Sequence, residues 1–420
     1  MRTSAFIVAA LLCGSASAQS EVLSLGRAYV DTLASPHFDG RGYVNEGCRR
    51  AGDYLLAEFQ RIGLKPPPKG YAEPFRFDVN TFPDSATVRI DGRALRPGVD
   101  FLLDPASGSA NGTFTAARIT PADLSTPQRK AMTMGVVNGL AVLLEFPPTT
   151  NKDSLAMYAA WEKELLYQAP VLKRAAGKLT WGVAQEARRF PLIEVVPEAW
   201  PDSARTVVLR VNNQLLRKQE QRNILGVAPA KKKTKEWIVV TAHYDHLGRM
   251  GPALFPGAND NASGTAMLLC LARHYVKNPG KRNILFIAFA GEEAGLEGSS
   301  WCVVNRAIDW AGVKLLINLD IFGTGDEGIT VVNATAQQKA FDQLVAINAR
   351  TPRLATVKSR GPACNSDHCP FAQRGVPALF LYTMGGIKAY HDVDDRRETL
   401  PLTAFPALHA TLVEFITTLK

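Results

Sequence analysis

Acidic residues and histidines gather at five places in the second half of the chain, each beside an apolar run. The first is Thr241-Ala242-His243-Tyr244-Asp245-His246, closing a run that starts at Trp237. In extended chain, residues i and i+2 leave from one face, so His243 and Asp245 project together. A metal-bound imidazole needs its second nitrogen fixed, commonly by a carboxylate, and Asp245 is placed for that task. The second place, Gly257-Ala258-Asn259-Asp260-Asn261-Ala262-Ser263-Gly264, sets one carboxylate among small residues ahead of an apolar helix. Alone it reads as a helix cap, yet nothing bulky keeps Asp260 from approaching two cations at once. The third, Gly291-Glu292-Glu293-Ala294-Gly295, follows the run Ile284 to Ala290. Two adjacent carboxylates there are costly to desolvate without a cation or a shared proton. One of them can bind a metal while its neighbour stays free as a general base. Asp320, ending the run Val313 to Leu319, and His391, in Tyr390-His391-Asp392-Val393-Asp394-Asp395, complete the series. Singly, a cap explains Asp320 and a charged loop explains the last segment.

Taken together, His243, Asp260, Glu293, Asp320 and His391 make a set of two imidazoles and three carboxylates. Such a mixed nitrogen and oxygen set suits zinc. If Asp260 bridges, each of two ions receives three protein groups and keeps an open position. That is the two-metal hydrolase arrangement, in which ions roughly 3.5–4 Å apart act on one shared water. Ligand type favours zinc without fixing it, so manganese and cobalt stay open.

The elements that must position these residues come next. From Asn223 onward, apolar runs at Trp237 to Thr241, Ile284 to Ala290, Val313 to Leu319 and Pro377 to Tyr382 predict strands buried on both faces. Helical patterns lie between them, at Ala262 to Tyr275 and Gln337 to Ala349. The alternation predicts an α/β domain over 216–420, with a mostly parallel, mixed central sheet flanked by helices. Ligands of such sheets collect outside the carboxyl ends of the strands, where the acids and histidines fall. Residues 19–75 predict helices packed on that domain: Leu55, Leu56, Phe59 and Ile62 recur at helical spacing before Gly63 and Pro66 stop the run. Residues 76–215 change texture, with short β-prone runs such as Thr87 to Ile90 and Leu192 to Val196 between turn residues, and one helical stretch at Ser154 to Arg174. This region predicts an inserted, mainly-β module without a catalytic constellation.

In order and content the chemical segments resemble the zinc aminopeptidase and glutamate carboxypeptidase family, metallopeptidase family 28. The resemblance takes in the second half, including Ser366-Asp367-His368-Cys369-Pro370-Phe371 and Gly375-Val376-Pro377-Ala378. It reaches Leu33 to Pro66 through Asp39-Gly40-Arg41-Gly42 and Ile62-Gly63-Leu64-Lys65-Pro66. The central region is outside it, at a place where some members insert a protease-associated domain. The resemblance implies a two-zinc exopeptidase, in first place an aminopeptidase acting on peptides with a free N-terminus. His243 and Asp320 would hold one metal, Glu293 and His391 the other, and Asp260 would bridge. Glu292 would be the general base, Asp245 would orient His243, and Tyr390 matches a tyrosine that some members use on the oxyanion. Asp392-Val393 departs from the Thr-Pro that members commonly carry after the final histidine, and Asp395 is the acid then left to support the ligands. A glutaminyl cyclase of related fold with one zinc, a carboxypeptidase of the same family and a non-catalytic ectodomain on a degenerate peptidase fold are the alternatives. Zinc stoichiometry separates the first, a cationic pocket for a substrate carboxylate would mark the second, and the third should have lost ligands that are all present.

Composition sets the frame for these readings. With 420 residues, 46% hydrophobic and 21% charged, the chain has material for a large core and a second module. The net charge of +9 is dispersed apart from Lys231-Lys232-Lys233-Thr234-Lys235, which reads as a solvated turn, and no nucleic-acid signature accompanies it. Arg2, the short apolar run Ala5 to Leu12 and Ala16-Ser17-Ala18 predict a secretory signal peptide over 1–18, cleaved near Ala18, and an exported protein without a membrane span. Cys48, Cys270, Cys302, Cys364 and Cys369 then remain; five is odd, so at least one thiol is free. Export permits a bridge between Cys364 and Cys369 without requiring it.

Overall fold

The computed structural model describes residues 19–420, and the expected leader lies outside them. The four apolar runs form the parallel centre of an eight-stranded sheet. Trp237–His243 lies between Asn283–Phe289 and Val313–Leu319, and Ala378–Met384 continues beyond the latter. Their side chains are covered on both faces, which is why unbroken rather than alternating apolar sequence encodes them. Antiparallel strands Gln214–Ala228 and then Ala72–Thr81 extend one side. Gly328–Val332 and Val357–Ser359 finish the other.

Helices cover both faces. Gly47–Ile62, Gly264–Lys277, Gln338–Arg350 and Phe405–Thr418 share one core with Ile238, Val240 and Ile317. Glu297–Asn305 and His368–Ala372 close the opposite core around Val239, Leu285 and Ile287. Gly264 begins the central helix because a side chain there has no room: a Cβ would meet the Leu319 carbonyl at 2.6 Å and Asn261 Oδ1 at 2.2 Å. The helix start is thereby pressed onto the end of the neighbouring strand.

A second eight-stranded sheet lies within residues 86–211, in the order Arg93–Leu95, Ala86–Ile90, Thr206–Val211, Ala110–Ile119, Leu140–Leu144, Val171–Arg174, Leu192–Val195, Phe101–Leu103. It hangs from the first sheet where Thr81 pairs with Gln214. Two sequence expectations need correction here. Residues 76–81 complete a strand of the first sheet rather than opening the insertion; that edge strand alternates, so it resembles the module's short strands. The helix expected over Ser154 to Arg174 spans Lys152–Leu165, and Val171–Arg174 is a strand. Pro170 separates the two, since proline cannot continue a helix interior. Helices Pro121–Leu124 and Pro127–Val136 were not expected; the latter buries no residue and so has no apolar stripe to read.

The two sheets share apolar cover. Leu247, Met250, Ala253 and Phe255, from the loop after Trp237–His243, belong to the core of the second sheet with Phe82, Leu103 and Trp181. Among the described residues no helix is long and apolar enough to cross a membrane.

Candidate metal centre

The five expected ligands and Glu292 come together outside the carboxyl ends of the parallel strands. His243 is the last residue of its strand, Asp320 directly follows Val313–Leu319, and Glu293 follows Asn283–Phe289. His243 Nε2 stands 3.2 Å from Oδ1 of Asp260 and 3.3 Å from Oδ1 of Asp320. His391 Nε2 stands 3.1 Å from Oδ2 of Asp260 and 3.2 Å from Oε2 of Glu293. The two oxygens of Asp260 therefore face two different imidazoles, each accompanied by a second carboxylate. Single donor atoms of His243, Asp260 and Asp320 lie within 4.8 Å of one another, as do those of His243, Glu292 and Glu293.

Both histidines present the same nitrogen to this cluster. Nδ1 of His243 is 3.2 Å from the backbone carbonyl of Asp245, and Nδ1 of His391 is 2.8 Å from that of Trp181. A carbonyl only accepts, so Nδ1 carries a proton in both rings, and Nε2 is the nitrogen that a cation in the cluster would take. The Asp245 carboxylate is 3.8 Å from His243 and spends its hydrogen bonds elsewhere. It accepts from the Tyr43 hydroxyl at 2.8 Å and from the backbone N–H groups of Glu292 and Glu293 at 3.2 and 3.3 Å. Asp245 thus meets His243 through its main-chain carbonyl rather than the expected carboxylate, and bonds the turn of the paired glutamates through its side chain.

The other candidate ligands are braced in the same way. The Asp395 carboxylate accepts from the backbone of Asn259 and Asp260 at 2.7 and 2.9 Å. Arg41, fully buried, donates to the carbonyls of Leu33, Tyr244, Pro256, Gly257 and Asp260. Ser366 donates to Asp320 Oδ2 at 2.9 Å, Asn318 donates to Ser366 at 2.8 Å, and Thr241 donates to Asn318 at 2.7 Å. The Tyr390 ring stacks on His391 at 4.0 Å between centroids and stays 45% exposed, at the mouth of the site.

Charge at the centre is strongly negative. Asp245, Asp260, Asp320, Asp367 and Asp395 are buried, and the guanidinium of Arg41 gives its donors to carbonyls. Burial raises the carboxyls of Glu292 and Asp245 above their ordinary values, and those of Asp367 and Asp395 to about 7. Burial acts on the imidazoles in the opposite sense and is overcome. Asp320 and Glu292 hold His243 well above its ordinary value, and Glu293 and Asp260 push His391 up to about 10. A cluster that draws positive charge onto two buried rings fits divalent cations, and the donor types fit zinc.

Sequence reasoning passed over three participants. His246 places Nδ1 2.7 Å from Glu293 Oε1, and its buried Nε2 has no hydrogen-bond partner. One donor atom each from His246, Asp260 and Glu293 lie within 4.8 Å of one another. Its place three residues after His243 was a usable signal. Asp367 buries both oxygens without a hydrogen-bond partner; it was noted only within a motif. Trp181, reaching His391 from the second sheet's module, left no signal in sequence.

Residues 223–416 match the model of Peptidase family M28, a span that includes every candidate ligand. Aminopeptidase YwaD of Bacillus subtilis is 26% identical over 292 residues, which is 69% of this chain and 63% of that relative's own length. Among solved structures, a peptidase M28 precursor from Shewanella amazonensis superposes with a TM-score of 0.70 at 18% identity, covering 96% of this chain and 95% of that one. A zinc aminopeptidase from Bacillus subtilis gives 0.69 at 19% identity, with 93% and 94% covered. At such identity the structural likeness speaks for the fold. The sequence match places residues 223–416, which bring two imidazoles onto one shared carboxylate, in peptidase family M28.

Proposed function

We propose that this protein is an exported two-zinc aminopeptidase that hydrolyses the first peptide bond of substrates with a free N-terminus. The observation that carries the reading is Asp260, whose two oxygens lie 3.2 and 3.1 Å from Nε2 of His243 and of His391. His243 and Asp320 would hold one ion, Glu293 and His391 the other, with Asp260 between them. Bound there, the ions would polarise the scissile carbonyl and make a water more acidic. Glu292 keeps partial exposure beside the cluster, as a base that meets substrate must. It takes the proton of the attacking water and passes it to the leaving amine. Tyr390, stacked on His391 and open to the mouth, donates to the developing oxyanion. The names borne by the Bacillus relative and the Bacillus solved structure support the aminopeptidase reading.

Metal analysis of the purified protein together with a panel of aminoacyl-anilides tests the proposal. Two zinc equivalents, hydrolysis abolished by chelation and no cleavage of N-acetylated substrates are expected. One equivalent without anilide hydrolysis would favour a cyclase instead.

A further inference from the structure

His391 enters the site on a stretch between Met384 and Phe405 that holds neither helix nor strand. Asp395, four residues on, ties the far end of the stretch to the backbone of Asn259 and Asp260, and the second sheet's module supplies contacts at His391 itself. Trp181 donates its N–H to the His391 carbonyl at 2.8 Å and accepts from His391 Nδ1 at 2.8 Å. Lys178, three residues earlier, pairs its ammonium with Oδ2 of Asp392. The same ammonium donates to the carbonyls of Lys388 at 2.7 Å and Tyr390 at 3.4 Å. Val393 packs on Gly98 of the module so closely that a Cβ there would lie 2.6 Å from Val393 Cγ1.

Asp392 also organises the turn from within, accepting from the N–H of Tyr390 at 3.3 Å and of Asp394 at 2.9 Å. Between those bonds His391 holds φ at +52°, a left-handed backbone uncommon for a side chain other than glycine. We propose that Lys178 and Asp392 form a latch through which the second module positions the His391 imidazole. Lys178 is then a positioning residue, and Asp392-Val393 is the half of the latch on the catalytic side. An ion pair with a half-exposed lysine is weak by itself. Here one ammonium gathers three acceptors from a single turn, and the Asp392 side chain is only 11% exposed, so losing the lysine strands an almost buried carboxylate. The proposal rests on the reading of His391 as a ligand.

The test uses full-length Lys178→Met, which keeps the aliphatic stem, Asp392→Asn, which keeps an amide oxygen for the Asp394 N–H, and Lys178→Arg. Zinc release to a chromophoric chelator and amide exchange over residues 385–395 in the metal-stripped protein are measured. Loss of a group that orients a ligand costs about 10–100-fold in metal affinity. Lys178→Met and Asp392→Asn should therefore weaken one zinc equivalent by that factor, leave the other unchanged and speed exchange in 385–395. Lys178→Arg should restore both readouts. If both disabling variants hold zinc as the wild type does and exchange at its rate, the latch is wrong. If the wild type itself binds only one ion, the two-ion reading fails, and the exchange comparison still decides the latch.

Discussion

Asp260 is the residue whose loss should cost most, because its carboxylate faces two imidazoles and would both bind and screen two dications. Asp260→Ala should lose both zinc equivalents on dialysis, and retention of either would show that it does not bridge. The adjacent glutamates should behave differently although they share a turn held by Asp245. Glu292→Gln keeps the shape of the base but cannot take a proton. Metal content and binding of substrate-like inhibitors should be near normal, with turnover reduced roughly 10²–10⁴-fold, the usual scale for general acid–base catalysis. Glu293→Gln should lower metal content and activity together. Turnover of Glu292→Gln near the wild-type rate would overturn the mechanism, and loss of metal from it alone would exchange the two roles.

Elements, rather than single residues, decide how much of this was legible beforehand. The parallel strands follow from runs of β-branched and aromatic residues, and the structure moves their ends by two residues at most. The order of acids and histidines at those strand ends likewise anticipates which side chains meet. What the sequence could not carry was contact between distant segments that leave no period behind. Trp181 reaches His391 through its backbone, which any residue but proline could supply. Arg41 lies in a short 3₁₀ segment, Pro36–Arg41, with no apolar pattern, yet it gathers carbonyls from three parts of the chain. Arg41→Met would leave five carbonyls without that donor. A loss of about 3 kcal/mol is expected from charge-assisted bonds alone, and a metal-free unfolding midpoint equal to wild type would contradict it. The loop bearing Ser366 and Asp367 is closed by a Cys364–Cys369 bridge, while Cys48, Cys270 and Cys302 are free and buried. Thiol counting on denatured, unreduced mature protein should therefore find three reactive groups, and five would exclude the bridge.

At the scale of the whole molecule, the second sheet's module is not an appendage that could be cut away. Its attachment makes removal geometrically simple: Thr81 and Gln214 are paired partners, so deleting 82–213 and inserting an Asn-Gly turn leaves an ordinary hairpin. Packing argues against the product. Leu247, Met250, Ala253 and Phe255 sit at 8% exposure or less within the module's core, and Val393 leans on the same cluster. Deletion would bare these side chains together as one apolar patch beside the candidate metal centre, the kind of surface that soluble chains rarely expose. It would also remove both hydrogen bonds between Trp181 and His391. The Glu292–Glu297 turn would lose Gln185, which donates to the Ala294 carbonyl at 2.7 Å and to Glu297 at 2.6 Å. The deleted protein should bind a hydrophobic dye strongly, associate in solution and carry fewer zinc equivalents than the full chain. The central parallel strands and their helices should still form, because their cores contain almost no residues of the module. Far-ultraviolet circular dichroism should therefore retain the helical signal while dye binding rises. A monomeric, dye-silent deletion variant with full zinc content would show that the catalytic half needs nothing from the module.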